Sequence, residues 1–539
     1  MLAFQHVLCY NFLMQNYVIK DEWPQEAKDI IALLEGKITG LESRLENSEY
    51  LLSLFKRSQF GSSSEKSNIV NYNQISIFPA ETVTAPPEPE YEDVSYKRAK
   101  RKGKREEDLS GLPVERIDYE LSGAERECPE CGETMDDIGV KVRQELKIIP
   151  AQVKVVEHAT HTYACKGCHK NGLPTPIVRA ESPPPLIAGS LASPSLVAHI
   201  AAQKYSNALP LYRLEKGFQY DGVSISRQNM ANWVIKSVYI YLVAIYELLI
   251  KFLIGETAIH IDETTFQVLN EPGRAAQTKS YEWVYSTSSN AEHKIVIYDY
   301  RETREGRHPE AFLKDFKGYA HTDGYQAYHN LPKEIIVVGC WAHARRRWEN
   351  VLKSMPEDKR EGSVAAQGIA YIDALFRWER KFKHLGPEER QKLRLKHSKP
   401  VADNYFAWVK SLNALPKSPI GAAAAYSLSQ QQYLENFYLD GRLELSNNRA
   451  ERNVKPFVIG RKNWLFANTQ DGAFASSVMY SIIETAKENA LHPTRYMEFL
   501  LESLLTASTG GLENLLPWSD KLPDYCYMRI TDKKVKAVG

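Results

Sequence analysis

From Ile31 the apolar positions recur in a 3-4 alternation, Ile31, Leu34, Ile38, Leu41, Leu45, Ser48, Leu52 and Phe55. That is a heptad seam with one polar position, and it predicts a coiled-coil helix over 24–60. One amphipathic helix packed on its own domain fits the same spacing. Periodicity is then lost: residues 61–96 are rich in Ser, Pro and Glu, with Pro86-Pro87-Glu88-Pro89-Glu90, so 61–110 reads as a flexible linker whose end is basic. Helical stretches are predicted at about 192–204, 210–218 and 224–249, punctuated by Pro210, Gly217, Gly222 and a Ser224 cap. Short helices with a tight turn suit a helix-turn-helix over 185–250, although helical packing alone gives the same pattern.

From residue 256 the period changes to two. Strands are predicted at Ala258 to Asp262, Tyr281 to Tyr285 and Lys294 to Tyr298. A helical stretch near 308–316, a strand at 318–322, a helical turn near 324–329, a strand from Ile335 to Gly339 and a helix from Trp341 follow. The order is β-β-β-α-β-α-β-α. Residues 356–440 carry few strand signals and read as a helical insertion, after which the sheet domain resumes at Asn447 and runs to about 505, leaving 506–539 as a C-terminal tail. The predicted class is α+β and multidomain, because 539 residues exceed what one core organises.

Composition narrows this picture. With 43% hydrophobic and 25% charged residues the chain is not disordered in general, and a net charge of +1 leaves room for local basic patches. One such patch is Lys97, Arg98, Lys100, Arg101, Lys102, Lys104 and Arg105, seven basic residues in nine positions, enough to attract a phosphate backbone without reading sequence. A solvated charge run is the plainer reading; its place before a cysteine module favours DNA. Residues 1–19 are apolar but interrupted by Gln5, His6, Asn11, Gln15 and Asn16, which predicts neither a signal peptide nor a membrane span. Seven cysteines without a disulfide pattern suit a reducing, cytoplasmic setting.

Four of those cysteines form two C-x-x-C pairs, Cys128/Cys131 and Cys165/Cys168. Four soft thiolates suit one tetrahedral, structural zinc ion in a module over 111–180. The 33 intervening residues exceed the usual ribbon spacing, but alternation at Val153, Val155, Ala159, His161 and Tyr163 predicts strands that carry the two knuckles together. A redox C-x-x-C is the weaker alternative, since neither pair opens a βαβ unit. His158, His161 and His169 read as bystanders, and Cys9, Cys340 and Cys526 as ordinary residues.

Two aspartates stand where a charge needs a reason. Asp262 closes the run Ile259-His260-Ile261, and Asp323 follows Gly318-Tyr319-Ala320-His321-Thr322 before Gly324. Adjacent strand ends would bring both carboxylates to shared divalent ions, as phosphoryl transfer at DNA requires, and hard oxygen ligands select magnesium or manganese. Singly, each is one of 67 acidic residues and open to a cap or turn reading.

At this point the chain resembles the transposases of the insertion-sequence-66 type, with a ribonuclease-H-like catalytic core, over about residues 40–518. The most specific stretches are Asn447-Asn448-Arg449-Ala450-Glu451-Arg452 with Pro456, Gly460-Arg461-Lys462-Asn463-Trp464-Leu465-Phe466, and Tyr480 to Lys487 followed by Pro493 and Tyr496. Earlier matches are Phe60 to Lys66, both cysteine pairs, Leu209 to Arg213, Asp262-Glu263-Thr264, Thr322-Asp323-Gly324-Tyr325 and Cys340 to Arg346. The resemblance implies a catalytic triad of Asp262, Asp323 and Glu451 holding two Mg2+ or Mn2+ ions; spacing alone does not select Glu451. It also selects Asp262 over Glu263, which on a strand points to the opposite face. Glu484 is the rival third carboxylate, in an apolar helical run that suggests a structural partner. Lys455 stands where the family more often has arginine, keeping the charge but losing bidentate phosphate geometry.

Around this triad Arg346, Arg452, Arg461 and Lys462, with Arg345 and Arg347, are candidate phosphate contacts; Trp464 and Phe466 read as packing, and His343 ranks below the triad. The resemblance thus implies a DNA transposase that cleaves element ends and transfers strands, acts as a homo-oligomer on DNA, with or without accessory proteins of the same element, and has no membrane partner. An inactive DNA-binding protein and a ribonuclease-H-like nuclease are the alternatives.

Overall fold

The computed structural model describes residues 152–164, 177–506 and 511–528, together with Val114, Arg116, Glu130, Glu133 and Thr134. The expected coiled coil at 24–60, the basic segment from Lys97 to Arg105 and the four cysteines Cys128, Cys131, Cys165 and Cys168 lie outside the described residues. Of the alternation expected over 153–163, only β1 (Thr162–Ala164) forms a strand; it pairs antiparallel with β2 (Ile177–Arg179). Both strands are exposed and bracket the segment that contains Cys165 and Cys168.

The centre of the protein is a mixed sheet of β3 (Ala258–Asn270), β4 (Lys279–Thr287), β5 (Val296–Arg301), β6 (Gly318–His321) and β7 (Ile335–Val338), ordered β5-β4-β3-β6-β7. β4 runs antiparallel to β3 and to β5, whereas β6 and β7 run parallel to β3. The predicted order of strands and helices is therefore present, with one correction. Asp262 does not end its strand: β3 continues eight residues beyond it, because the period-2 pattern persists through Phe266 and Val268, both buried.

What ends at this point is the neighbour. β6 pairs with β3 only at Ala258, Ile259 and His260, and the short strand β8 (Ala467–Thr469) takes up the same edge only from Val268. Between them β3 has an unpaired edge whose backbone groups need other partners. The odd-numbered carbonyls face this side, as the bond from Tyr319 N–H to Thr257 O shows. Beyond β6, Asn447 Nδ2 donates to Ile261 O at 2.7 Å and Arg461 donates to Thr265 O. Both residues belong to one helix or its cap.

Helices α1 (Pro194–Ala201), α2 (Leu211–Tyr220), α3 (Arg227–Ser237) and α4 (Val243–Ile254) precede the sheet, with α3 and α4 continuous through a π turn. The N-cap of α3 is Ser226, whose hydroxyl accepts from Asn229 N–H, rather than Ser224 two residues earlier. Among the described residues, Arg227–Ile254 is the one helix long and apolar enough to cross a bilayer by length and composition. Its stripe of Met230, Val234, Val238, Leu242, Ile245, Leu249 and Leu253 is buried in the same core as the sheet.

After α5 (Arg307–Phe312) and β7 come α6 (Trp341–Lys353) and the insertion, built from α7 (Val364–Phe382), α8 (Pro387–Leu393), α9 (Lys399–Ser411), α10 (Pro419–Ser429) and α11 (Gln431–Glu435). A second core joins α6 to the insertion through Trp341, Trp348, Leu375, Tyr405 and Phe406. The chain returns through 436–446, where Arg394, 1% exposed, pairs with Glu379 at 2.6 Å and donates to the carbonyls of Phe437, Asp440 and Leu443.

It then enters α12 (Asn448–Trp464), α13 (Gln470–Glu488) and α14 (Pro493–Thr506). α12 lies on the face of β3 bearing the even positions, with Phe457 against Phe266 and Tyr298. α13 covers the free edge of β5, where Tyr298 and Val296 N–H groups donate to the Ser481 and Thr485 hydroxyls. Residues 511–528 also pack, burying Leu515, Leu516, Leu522 and Cys526, with Tyr496 Oη donating to Leu515 O.

Replacing Arg394 by Ala leaves Glu379 without its partner and takes a donor from three carbonyls, of which Asp440 O keeps the Leu443 N–H, so it is expected to cost about 3–5 kcal/mol. Urea unfolding of the wild type and variant measures this. A loss below about 1 kcal/mol would mean that the return segment holds its place without Arg394.

Candidate active site

The even positions of β3 all meet α12 or its cap: His260 reaches Asn447, Thr264 meets Arg461, and Phe266 packs on Phe457. Asp262 lies on this face, between His260 and Thr264. Its Oδ1 accepts the N–H of Glu263 at 2.9 Å. Asp323 sits just past β6 in an Asx turn, its Oδ1 accepting from Tyr325 N–H at 2.8 Å. Gly324 beside it has no room for a side chain, since a Cβ there would lie 2.8 Å from the ring of Tyr426 on α10. Glu451 is in the first turn of α12.

Asp323 and Glu451 both act on Asp262 electrostatically. Burial, then Glu263, Asp323 and Glu451, push the Asp262 carboxyl up to about 8, against the favourable bond from Glu263 N–H. Glu263 points to the other face, as the strand period requires: Arg304 and the Tyr328 hydroxyl both donate to it, and burial still holds it above the ordinary carboxylate range. Its oxygens are occupied, whereas Asp262 receives a single backbone N–H.

α6 supplies the opposite wall. Arg346 donates both to Glu451 Oε1 at 3.2 Å and to Oε2 at 3.1 Å, while His343 Nδ1 lies 3.7 Å from Glu451 Oε1. Burial keeps the His343 ring below its ordinary range, although Asp323 favours its charged form. With Glu451 drawn to Arg346, no three His, Cys, Asp or Glu side chains among the described residues converge tightly enough to hold a metal ion as they stand. The chemistry of the donor set nevertheless fits hard divalent cations: it is all carboxylate oxygen, it is partly buried, and burial makes an ionised Asp262 costly in a way that a bound cation would offset.

The other predicted contacts are spread differently. Arg461 is turned inward, donating to Thr264 Oγ1 at 3.0 Å and to Thr265. Arg345 pairs with Asp373 at 2.7 Å, and Arg347 stacks over Tyr426. Arg452, Lys455 and Lys462 are exposed along one side of α12. An open groove of about 360 Å³ lined by Lys279, Arg461, Lys462 and Leu465 continues past its end. Trp464 packs edge-on against Phe266 and Phe457, and Glu484 is buried in an ion pair with Lys487 at 2.7 Å.

Beneath the carboxylates lies a polar layer that the sequence pattern did not single out. His260 and His321 are register partners, each two residues before an aspartate, with rings stacked 4.4 Å apart and both fully buried. Glu444 lies 3.5 Å from His260 Nε2 and donates its N–H to His321 Nε2 at 3.2 Å. The signal available was the repeated His-x-Asp spacing of His260/Asp262 and His321/Asp323.

Comparison with known proteins adds three family matches. Residues 189–475 match the model described as the transposase IS66 family, 125–169 the zinc-finger binding domain of transposase IS66, and 49–117 the model described as transposase C of IS166 homeodomain. Two Sinorhizobium fredii proteins, whose descriptions read uncharacterized protein y4qI and y4jD, are 30% and 28% identical over 519 and 488 residues. The first match covers 92% of each chain, and the second 86% of this chain and 93% of the relative. A solved structure described as the Drosophila P element transposase strand transfer complex aligns with 54% of this chain and 92% of its own at 8% identity and a TM-score of 0.32.

The raised Asp262 carboxyl yields a pH prediction for metal-free protein. Its folded value lies above the ordinary 3.8, so the folded state holds the proton more tightly, and the stability this confers is full below about pH 4 and lost as pH rises through about 8. Melting temperatures measured in chelator should therefore match between wild type and Asp262→Asn at the acid end and diverge toward pH 8, with the variant more stable. A constant gap across that range would show that Asp262 carries no excess charge.

Proposed function

The chain belongs to the IS66 family of transposases, and from that membership we propose that it cleaves DNA at the ends of a mobile element and joins them to target DNA, using Asp262, Asp323 and Glu451. The observation that supports this reading is the placement of Asp262 half-buried in mid-strand, where burial first, then Glu263, and then Asp323 and Glu451 raise its proton affinity. The strand order β5-β4-β3-β6-β7, with three antiparallel strands followed by two parallel ones, supports a ribonuclease-H-like core interrupted by a helical insertion.

The three carboxylates would hold two Mg2+ or Mn2+ ions, which when bound activate the attacking oxygen and stabilise the leaving oxygen of a phosphodiester. The chain's own residues do the rest. Arg346 pairs with Glu451 and, as a guanidinium beside the carboxylates, would suit a phosphate oxygen of the DNA. The exposed stripe Arg452, Lys455 and Lys462 leads from Glu451 along α12 and gives the DNA backbone a track, with Lys455 acting as a point charge. His343, its Nδ1 buried without a hydrogen-bond partner, faces the same cleft and is placed to exchange a proton with a reacting oxygen.

Recognition of the ends is assigned to the regions outside the sheet: the basic run Lys97 to Arg105, the zinc module, and α3, which exposes Arg227, Gln228, Asn229 and Asn232, side chains suited to base edges. Zinc held by Cys128, Cys131, Cys165 and Cys168 is structural in this reading, and the heptad seam from Ile31 to Phe55 would join copies of the chain.

Asp262→Asn, Asp323→Asn and Glu451→Gln should each abolish cleavage and strand transfer while end binding persists, since each amide keeps the shape and removes one ligand charge. The losses should be non-additive, because the three ligands act as a unit. End-labelled DNA assayed in magnesium and in manganese tests this, and near wild-type cleavage by Glu451→Gln would refute the third assignment.

Metal analysis of freshly purified, unchelated full chain should find one zinc ion per chain, lost in Cys128→Ser without loss of carboxylate-dependent Mn2+ binding. Wild-type protein devoid of zinc would contradict the thiolate assignment.

A further inference from the structure

Asn447 stands at the N-cap of α12, where an asparagine side chain normally accepts from the N–H groups of the first turn. Here it makes no cap bond. The residue is 1% exposed, and its amide is turned away from its own helix onto β3. Nδ2 donates to Ile261 O at 2.7 Å, which orients the amide, and Oδ1 then faces His260 Nδ1 at 2.9 Å. The main chain of the same residue is fixed at both ends. Its N–H donates to Cys340 Sγ at 3.1 Å, and its carbonyl accepts the N–H of Glu451 at 3.3 Å.

We propose that Asn447 is a positioning residue that sets Glu451 against Asp262. One side of it grips the peptide immediately before Asp262, and the other carries the first hydrogen bond of the turn that holds Glu451. The link extends to the third carboxylate, because His260 stacks on His321, two residues before Asp323. No neighbouring strand could do this work. β6 has already ended at His321, so the Ile261 carbonyl is open to a side chain from the returning segment. A shorter residue at 447 cuts the tie to β3 without removing any cap bond, freeing α12 to drift from the strand. Second-layer changes of this kind typically cost about 10–100-fold in metal affinity or activity. The inference rests on the reading of Glu451 as a metal ligand.

The test uses the full chain and Mn2+ alone as probe, following the free-ion signal by electron paramagnetic resonance. Asn447→Ser keeps a favoured cap residue but cannot span Ile261 O and His260 together. It should raise the Mn2+ midpoint about 10–100-fold, lower the melting temperature in chelator by only a few degrees, as one buried group left unpaired implies, and recover cleavage as Mn2+ is raised. Asn447→Leu keeps the approximate shape, adds no charge and loses the donor to Ile261 O; it should shift the midpoint in the same direction if the serine variant folds poorly. An unchanged midpoint, or cleavage that is lost and never recovers with added Mn2+, would overturn the positioning role. Glu451→Gln distinguishes the two levels: Mn2+ binding equal to wild type in that variant refutes the ligand reading itself, whereas weakened binding there with an unaffected Asn447→Ser refutes only the positioning.

Discussion

The site depends on a mismatch in strand length. β3 is thirteen residues long and β6 only four, so the edge of β3 from Ile261 to Gln267 has no strand beside it. Backbone carbonyls cannot be left there without partners. Asn447 and Arg461 supply them from the two ends of α12, and in doing so seat that helix across the gap. As a consequence Asp323, in its turn, and Glu451, in the first turn of α12, lie near enough to mid-strand Asp262 to raise its carboxyl. Burial of the Asp262 carboxyl, with Glu263, Asp323 and Glu451 adding to it, is the unfavourable part of the arrangement, and Glu451 is paired with Arg346.

The insertion is part of this arrangement rather than an ornament on it. Its return segment is held by Arg394 through three carbonyls, and the same segment delivers Glu444 to the stacked histidines and Asn447 to β3. Tyr426 from α10 occupies the space beside Gly324 and takes Arg347 on its face, so the insertion also packs against the turn that presents Asp323. What fixes the insertion therefore also supports the Asp323 turn and the start of α12.

Period-2 runs at 258–262, 281–285, 294–298, 318–322 and 335–339 were enough to order the strands, because each alternates or is apolar over a strand's length. Strand extent was less legible. Asp262-Glu263-Thr264-Thr265 looks like an ending, yet it stays in the strand because Glu263 is satisfied by Arg304 and Tyr328, residues distant in sequence. Glu451 could be selected only by resemblance, since nothing local distinguishes a first-turn glutamate at an active site from one that serves the helix dipole. Arg461 read as a phosphate contact because its engagement with Thr264 and Thr265 depends on how α12 crosses β3. Asn447 was visible as part of a motif, but its role required knowing that β6 stops short.

Placing divalent ions directly is the sharpest test of the central claim that Asp262, Asp323 and Glu451 form one ligand set. Anomalous scattering at the manganese edge, from crystals of the protein with element-end DNA, would do so. Two peaks bounded by these three carboxylates, with Glu451 turned away from Arg346, are the predicted result. Manganese bound elsewhere in the core, or a Glu451 still paired with Arg346 while ions occupy the cleft, would contradict it.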